Sequence, residues 1–360
     1  MRTCLTVTTI ALTLASSLVA CSSTPPTDGQ EFSYEGKSIE IVVGVGPGGT
    51  IDTTARLLQK ELSEALPGTR IQVINTPGGG GMEAANNFTR QPAHDGTRLI
   101  LMSQHNIMPM VLGIDDARYG FDDFAPLVLF PRGASTIMSS NKTDLTSLDA
   151  FMKATDIKFG GISVVSDDLP ALVGFELIEK LDDIDTILGF ESGSATRQDL
   201  IAGGIDLRRD GTTNYINELQ DSTIPLYTHG VPDGDGGIAR DPLLPEIPHA
   251  GEVYEQTFGQ PPQGEAWNAF TYLLDVLGTG GYFLAAHSDA PPGAIEALDA
   301  ALSEISADDN FNAQITDLFG PYELTYGDDA RAWADQMSSA GDAERVWLTQ
   351  FLAENFPEQS

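Results

Sequence analysis

Hydrophobic positions along the chain follow two rhythms. Ile39-Glu40-Ile41-Val42-Val43 is a β-branched run that breaks at Gly44-Val45-Gly46-Pro47-Gly48-Gly49-Thr50. From there Ile51, the methyl of Thr54, Ala55, Leu58, Leu62, Ala65 and Leu66 recur at offsets of three, four and seven until Pro67-Gly68. This predicts a strand, a glycine loop and a helix with one buried face. Ile71-Gln72-Val73-Ile74 is a second strand, leading through Asn75-Thr76-Pro77 and a glycine run at 78–81 into a helix over 82–90. After the turn at 92–97, Arg98-Leu99-Ile100-Leu101-Met102 reads as a buried strand that delivers Ser103-Gln104-His105-Asn106. In open α/β sheets ligands sit beyond the carboxyl ends of strands. Segments 46–50, 75–81 and 103–106 are therefore expected to share one rim.

The pattern repeats further on. The apolar runs 124–130 and from Ala134 flank Pro131-Arg132-Gly133, and Lys158-Phe159-Gly160-Gly161-Ile162-Ser163 is another strand-to-loop step. A helix is predicted through Leu169, Leu172, Val173, Leu177 and Leu181, then a strand at 186–190, a loop at 191–196 and a helix at 197–202 capped by Gly203-Gly204. Ser163, Ser194, Ala195 and Thr196 thus stand where a second set of binding loops belongs, with Gly211-Thr212-Thr213 as a third candidate. Each hydroxyl is equally explained as a helix cap. Arg208 and Arg209 read as surface ion partners, and Ile224-Pro225-Leu226-Tyr227 as the return to the first half. Helices at 250–258, from Pro291-Pro292-Gly293 onward and at 343–356, with a strand at 282–286, complete the order.

The first glycine loop has its own chemistry. Glycines let a ligand approach the main chain, and the first turn of the following helix leaves unpaired N–H groups and the positive end of its dipole in the same space. Such a loop holds an anion. Gly44, Gly46 and Gly49 also satisfy G-x-G-x-x-G, a dinucleotide fingerprint that needs an acidic residue after the next strand. Asn75-Thr76 stands there instead.

The 360 residues, 41% of them hydrophobic, suffice for two domains with real cores. Asp and Glu number 52 against 19 Lys and Arg, a net charge of −33, which excludes nucleic acid as a partner because phosphate affinity rests on clustered cations. Arg2, the apolar run at 5–15 and Leu18-Val19-Ala20-Cys21 read as a lipoprotein signal peptide over 1–20 with Cys21 as the lipidated residue. Residues 21–33 read as a flexible tether. With Cys4 removed the mature chain has no disulfide framework. The five His residues are scattered without metal-ligand spacing, and neither H-E-x-x-H nor G-x-S-x-G is present. No metal, no cofactor and no catalytic group is expected.

I-x-x-x-V-x-x-x-P-G-G-x-x-D-x-x-A-R from Ile39 to Arg56, V-x-N-x-P-G-G-G-G from Val73, A-x-D-G-T-x-L from Ala93 and the R-x-P-x-x-P-x-x-P at 240–248 together resemble the Bug-type receptors of tripartite tricarboxylate transporters. Val45-Gly46-Pro47 and Thr97 depart from that family's pattern. The resemblance implies an α/β, two-lobed type 2 periplasmic-binding-protein fold, each lobe a central sheet flanked by helices, with a hinge near Arg132. Lobe one is then 34–132 plus 250–360, and lobe two 133–249. It further implies a small carboxylate ligand and delivery to large and small membrane permease subunits by an anchored, extracytoplasmic monomer. The expected ligand contacts are Gly46, Pro47, Gly48, Gly49, Thr50, Asp52, Ser103, Gln104, His105, Ser163, Ser194, Ala195, Thr196 and Thr212. The alternatives are a receptor of the same fold feeding a sensor, and a dinucleotide-binding oxidoreductase. Cys21→Ser is expected to move the protein from the membrane to the soluble fraction on cell fractionation; retention on membranes would remove the anchor.

Overall fold

The computed structural model describes residues 32–357 except 79–80, 92–93, 191, 235 and the side chain of residue 340. The stretches read as signal peptide, lipidated Cys21 and tether up to residue 31 lie outside the described residues. The described residues from Ser33 onward form one compact unit containing two large sheets.

The first sheet is built from β1 (Ser38–Val43), β2 (Arg70–Asn75), β3 (Arg98–Ser103), β4 (Phe124–Phe130), β12 (Tyr282–His287) and β13 (Thr325–Tyr326), in the order β13-β4-β12-β3-β1-β2. β1 lies between β3 and the edge strand β2 and is parallel to both, with Val43 level with Asn75 and Leu101. The carboxyl ends of all three strands therefore reach one edge. β12 returns antiparallel between β3 and β4. Near-continuous apolar burial along β3, β4 and β12 follows from helices on both faces.

Helix α1 (Thr50–Ala65) buries Ile51, Thr54, Ala55, Leu58 and Leu62, the stripe that its periodicity predicts. α2 (Met82–Thr89) and α3 (Gln104–Val111) follow β2 and β3. The carboxyl-terminal α10 (Pro292–Ser306) and α11 (Asp309–Phe319) pack on α1, and α12 (Gly327–Asn355) lies on β4.

The second sheet has the order β7-β6-β8-β5-β9, from β5 (Ser135–Ser140), β6 (Ile157–Gly160), β7 (Ile184–Ile187), β8 (Leu207–Gly211) and β9 (Thr223–Thr228). α4 (Leu148–Lys153), α5 (Leu169–Leu177), α6 (Gly193–Ala202) and the short α7 (Thr212–Asn214) connect these strands. The stretch read as a return, Ile224-Pro225-Leu226-Tyr227, is instead this edge strand. Pro225 sits where the register against β5 shifts, a position that spares the missing N–H. Leu181 falls outside α5 because Glu179, at φ 55°, has already turned the chain away.

β10 (Val231–Pro232) and β11 (Ile238–Ala239) make a small hairpin, α8 (Ala250–Phe258) packs on β9, and α9 (Glu265–Leu274) packs against both α5 and α12. One apolar cluster runs through α5, α9 and β12, so the halves share buried surface. Among the described residues no helix is long and apolar enough to cross a membrane.

The chain crosses between sheets at Gly133, whose φ is +65° and whose missing Cβ makes room for the Tyr322 ring. Tyr322 in turn donates to Asp241, 2.9 Å away. Gly133→Ala is expected to cost about 1–3 kcal/mol through backbone strain and displacement of that ring, measured by urea unfolding.

Candidate ligand cleft

The loop after β1 is open. Gly46, Pro47, Gly48, Gly49 and Thr50 are all exposed, and a Cβ added at Gly46, Gly48 or Gly49 would meet nothing within 4 Å. Gly49 caps α1 without a side-chain acceptor, so main-chain donors of the first turn are left facing that space. Asp52 lies beneath the loop, only 3% exposed. Its carboxylate accepts from Arg56 Nε (2.9 Å) and Nη2 (3.0 Å), from Asn75 Nδ2 (2.9 Å) and from the Gly48 N–H (3.0 Å). Chiefly through Arg56, these bonds outweigh burial and hold the carboxyl at about 2. Asp52 therefore shapes the loop from below, with its hydrogen-bonding capacity already engaged.

The end of β3 is packed, not open. Ser103 is fully buried, and its main-chain N–H and hydroxyl both donate to Asn106 Oδ1, 3.1 and 3.0 Å away. Asn106 Nδ2 reaches the Gly81 carbonyl at 2.6 Å, tying the β2 and β3 ends together. His105 is exposed. Gln104 points across to the other half, where its Nε2 donates to Asp167 at 2.8 Å.

In the second half, hydroxyls chosen from sequence serve the backbone. Ser163 Oγ accepts from Val165 N within a turn. The cap of α6 is Ser192, which accepts from the Ala195 N–H at 3.2 Å, while Thr196 Oγ1 turns back to the Ser192 carbonyl. Ser194 is exposed in the first turn of that helix. Thr212 is buried and donates to the Ala134 carbonyl at 3.0 Å.

What the fold brings together joins candidates named from the sequence, Thr50 and the Gly211–Thr213 loop, with residues that were not. Thr50 at the start of α1 faces Gly211, Thr213 and Asn214 across a cavity of about 70 Å³, with Arg132, Tyr282 and Phe319 completing its wall. The Arg132 guanidinium sits 5.6 Å from the centre of the Tyr282 ring. Behind it a smaller cavity, about 30 Å³, is lined by Arg132, Asp167, Arg209 and His229. Arg209 is buried, 2.7 Å from Asp167 and 3.4 Å from Asp168. Arg132 bonds Gln104 and lies 3.5 Å from Asp167. Burial pushes the Asp167 carboxyl up, but Arg209 and then Arg132 outweigh it and hold it below the usual carboxylate range. Burial pulls His229 down to about 3, so it is neutral.

Arg208 and Arg209, expected at the surface, are thus buried. Arg208 pairs with Asp210 at 3.0 Å, which Arg197 also holds at 2.8 Å. Sequence spacing does not reveal Arg132 and Arg209 as cleft residues, because their partners lie at positions 104 and 167. Distant segments also stack His94 on His287, ring centres 3.3 Å apart, with Asp289 close by. His287 Nδ1 already accepts the Asp289 N–H at 3.1 Å, and the ring is also bonded to the Thr89 backbone.

No family model matches the chain. A UPF0065 protein of Agrobacterium vitis, from the intergenic region between ttuE and ttuC', is 30% identical over 244 residues, 66% of this chain and 66% of that relative. The chain belongs to the UPF0065, or Bug, family. Matched residues span about two thirds of that relative. A TctC solute-binding protein from Polaromonas shares the fold at 16% identity, with a TM-score of 0.65 over 89% of this chain and 100% of that one. MatC from Rhodopseudomonas palustris, solved with bound malate, shares it at 20% identity and a TM-score of 0.56, over 90% and 97% of the two chains.

Because Asp52 is held at about 2 in the fold against 3.8 in the unfolded chain, its stabilisation is complete above about pH 4 and is lost as pH falls toward 2. Asp52→Asn is expected to lower stability at pH 7 and to flatten the decline between pH 4 and 2. Urea midpoints taken across that range test this, and parallel curves for the two proteins would be the contrary result.

Proposed function

We propose that this UPF0065 protein is an extracytoplasmic receptor, anchored through Cys21, that traps a small dicarboxylate between its two halves and delivers it to a two-subunit membrane permease. The observation that carries this reading is the opposition of an open glycine loop and helix start, ending at Thr50, to Gly211 and Thr213 across a cavity walled by Arg132. One ligand carboxylate is placed on the bare main-chain donors of the first turn of α1, the other beside the Arg132 guanidinium and the Thr213 hydroxyl. Micromolar affinity corresponds to about −8 kcal/mol. Charge-assisted hydrogen bonds at about 1.5–3 kcal/mol each reach that figure with three to five contacts.

The halves must part to load such a ligand. A cavity of about 70 Å³ holds a few waters, whereas ligand pockets run to about 300 Å³ and more. The two crossings near Gly133 and Gly230, each at positive φ, are the places proposed to flex; the first falls at the expected boundary of 132–133, the second well before that of 249–250. The malate held by the R. palustris neighbour motivates the first probe.

Thermal-shift and calorimetric titration with malate, succinate, adipate and citrate test the reading. At least one is expected to bind, and Gly49→Val to abolish binding while leaving the melting temperature within a few degrees. Gly49 suits this test because its φ of −88° admits a side chain and nothing lies within 4 Å of the added Cβ. Arg132→Gln is expected to weaken binding by about tenfold to a hundredfold. Failure of every acid to bind, or undiminished affinity in Gly49→Val, would overturn the assignment.

A further inference from the structure

The cavity between Thr50 and the loop at Gly211–Asn214 holds polar atoms that the carboxylate contacts leave unused. Asn214 donates through Nδ2 to Asp210 Oδ1 at 2.9 Å. Asp210 can only accept, since burial pushes its carboxyl up but Arg208 and Arg197 outweigh that and hold it at about 2. The amide is therefore fixed with its nitrogen toward Asp210, and Oδ1 is the atom left for another donor. No described residue supplies one, and Oδ1 is not closed off from solvent. A Cβ on Gly211 would lie 3.8 Å from Arg132 Nη2 and 4.0 Å from Asn214 Nδ2, so guanidinium and amide flank the same patch of wall. Arg132 engages Gln104 and Asp167 through Nη1, and its Nη2 has no partner among the described residues. Tyr282 lines the same cavity from the first sheet. Its side chain is packed away, the residue being 8% exposed, yet its hydroxyl has no partner among the described residues and keeps access to solvent.

We propose that Asn214 and Tyr282 read a hydroxyl group on the ligand, so that the cleft prefers a hydroxylated dicarboxylate to the plain one. The inference rests on the dicarboxylate reading of the cleft given above. The ligand hydroxyl donates to Asn214 Oδ1 and accepts from the Tyr282 hydroxyl as the halves close on it. A hydroxyl fits both partners, because an amide oxygen fixed by Asp210 calls for a donor and the phenol O–H calls for an acceptor. An ammonium group could also donate to Oδ1, but Arg132 Nη2 stands on the same patch of wall and repels a cation there. Arg132 is thereby kept for a carboxylate and Asn214 for the neutral donor. A ligand without the hydroxyl leaves the amide oxygen unpaired once water is expelled, and sites built around such a bond reject the analogue that lacks it.

Malate and succinate differ by that one oxygen, and aspartate puts an ammonium group in its place. Calorimetry on the purified protein is expected to show malate bound about tenfold tighter than succinate, and aspartate weaker than malate by a similar factor. Asn214→Leu, which keeps the branching of the side chain and removes its polar atoms, should bring the malate-to-succinate ratio close to one. Tyr282→Phe deletes only a hydroxyl that has no partner in the protein, and should narrow the same ratio about threefold. That variant decides the matter should Asn214→Leu fail to fold. Equal affinity for malate and succinate, aspartate bound as tightly as malate, binding of adipate alone, or a ratio that neither variant changes would overturn the hydroxyl contact and leave the dicarboxylate reading standing. Silence of malate, succinate, adipate and citrate together would overturn that reading, and this inference with it.

Discussion

The carboxylate of Asp167 fixes how closely the two sheets approach. It comes from the second half, yet it accepts from Gln104 of the first and lies between Arg132, at the crossing, and Arg209 of β8. A carboxylate placed there is stable only while a cationic partner remains, because a buried charge left with none costs about 3–5 kcal/mol. The spacing that satisfies it is also the spacing that shrinks the cavities beside it to about 70 and 30 Å³. Loop, helix start and hydroxyls of the cleft face one another across a gap that this ion pair sets.

Local charge at that gap runs against the chain as a whole. Net charge is −33, yet Arg132, Arg197, Arg208 and Arg209 all cluster on the sides of the second sheet and the crossing. Exposed acids farther than about 8 Å away are largely screened at physiological salt, whereas a guanidinium in a narrow cleft is not. An acidic exterior and an anion-binding interior are therefore compatible. The exterior governs solubility, while capture depends on what stands within contact distance.

The parts of the fold legible in the sequence are those with local causes. The step from β1 through the glycines to α1 is written in one β-branched run, one loop and one 3.6-residue stripe, and the helix buries that stripe from Ile51 to Leu62, with Asp52, Leu57 and Glu61 buried beside it. The exposure of the glycine loop was legible for the same reason. Hydroxyl residues were not separable by pattern: Ser103, Thr196 and Thr212 bond within their own turns or to the neighbouring strand, the same chemistry a ligand would use. The ion cluster was hidden for a different reason. Its members stand at 104, 132, 167 and 209, and pairing over such separations leaves no period in the chain. The strand at Thr223–Thr228 shows a third limit, since a short apolar run holding a proline fits a crossing segment as well as an irregular edge strand.

The same cluster also decides which of its members can serve a ligand. A carboxylate arriving beside Arg132 meets Asp167 already 3.5 Å from that guanidinium, and two carboxylates on one cation repel. Asp167 has a closer partner in Arg209 at 2.7 Å, itself 4% exposed, and a further donor in Gln104. Arg132 is the more exposed of the two arginines, its side chain 23% accessible, and its contact with Asp167 is at the outer limit of hydrogen bonding. Parting Arg132 from Asp167 thus sacrifices little, while parting Arg209 would leave that buried guanidinium only its longer contact with Asp168, at 3.4 Å, and Asp167 only its weaker partners. Arg209 and Asp167 are accordingly the fixed frame of the cleft, and Arg132 is the side chain free to exchange an internal carboxylate for an external one.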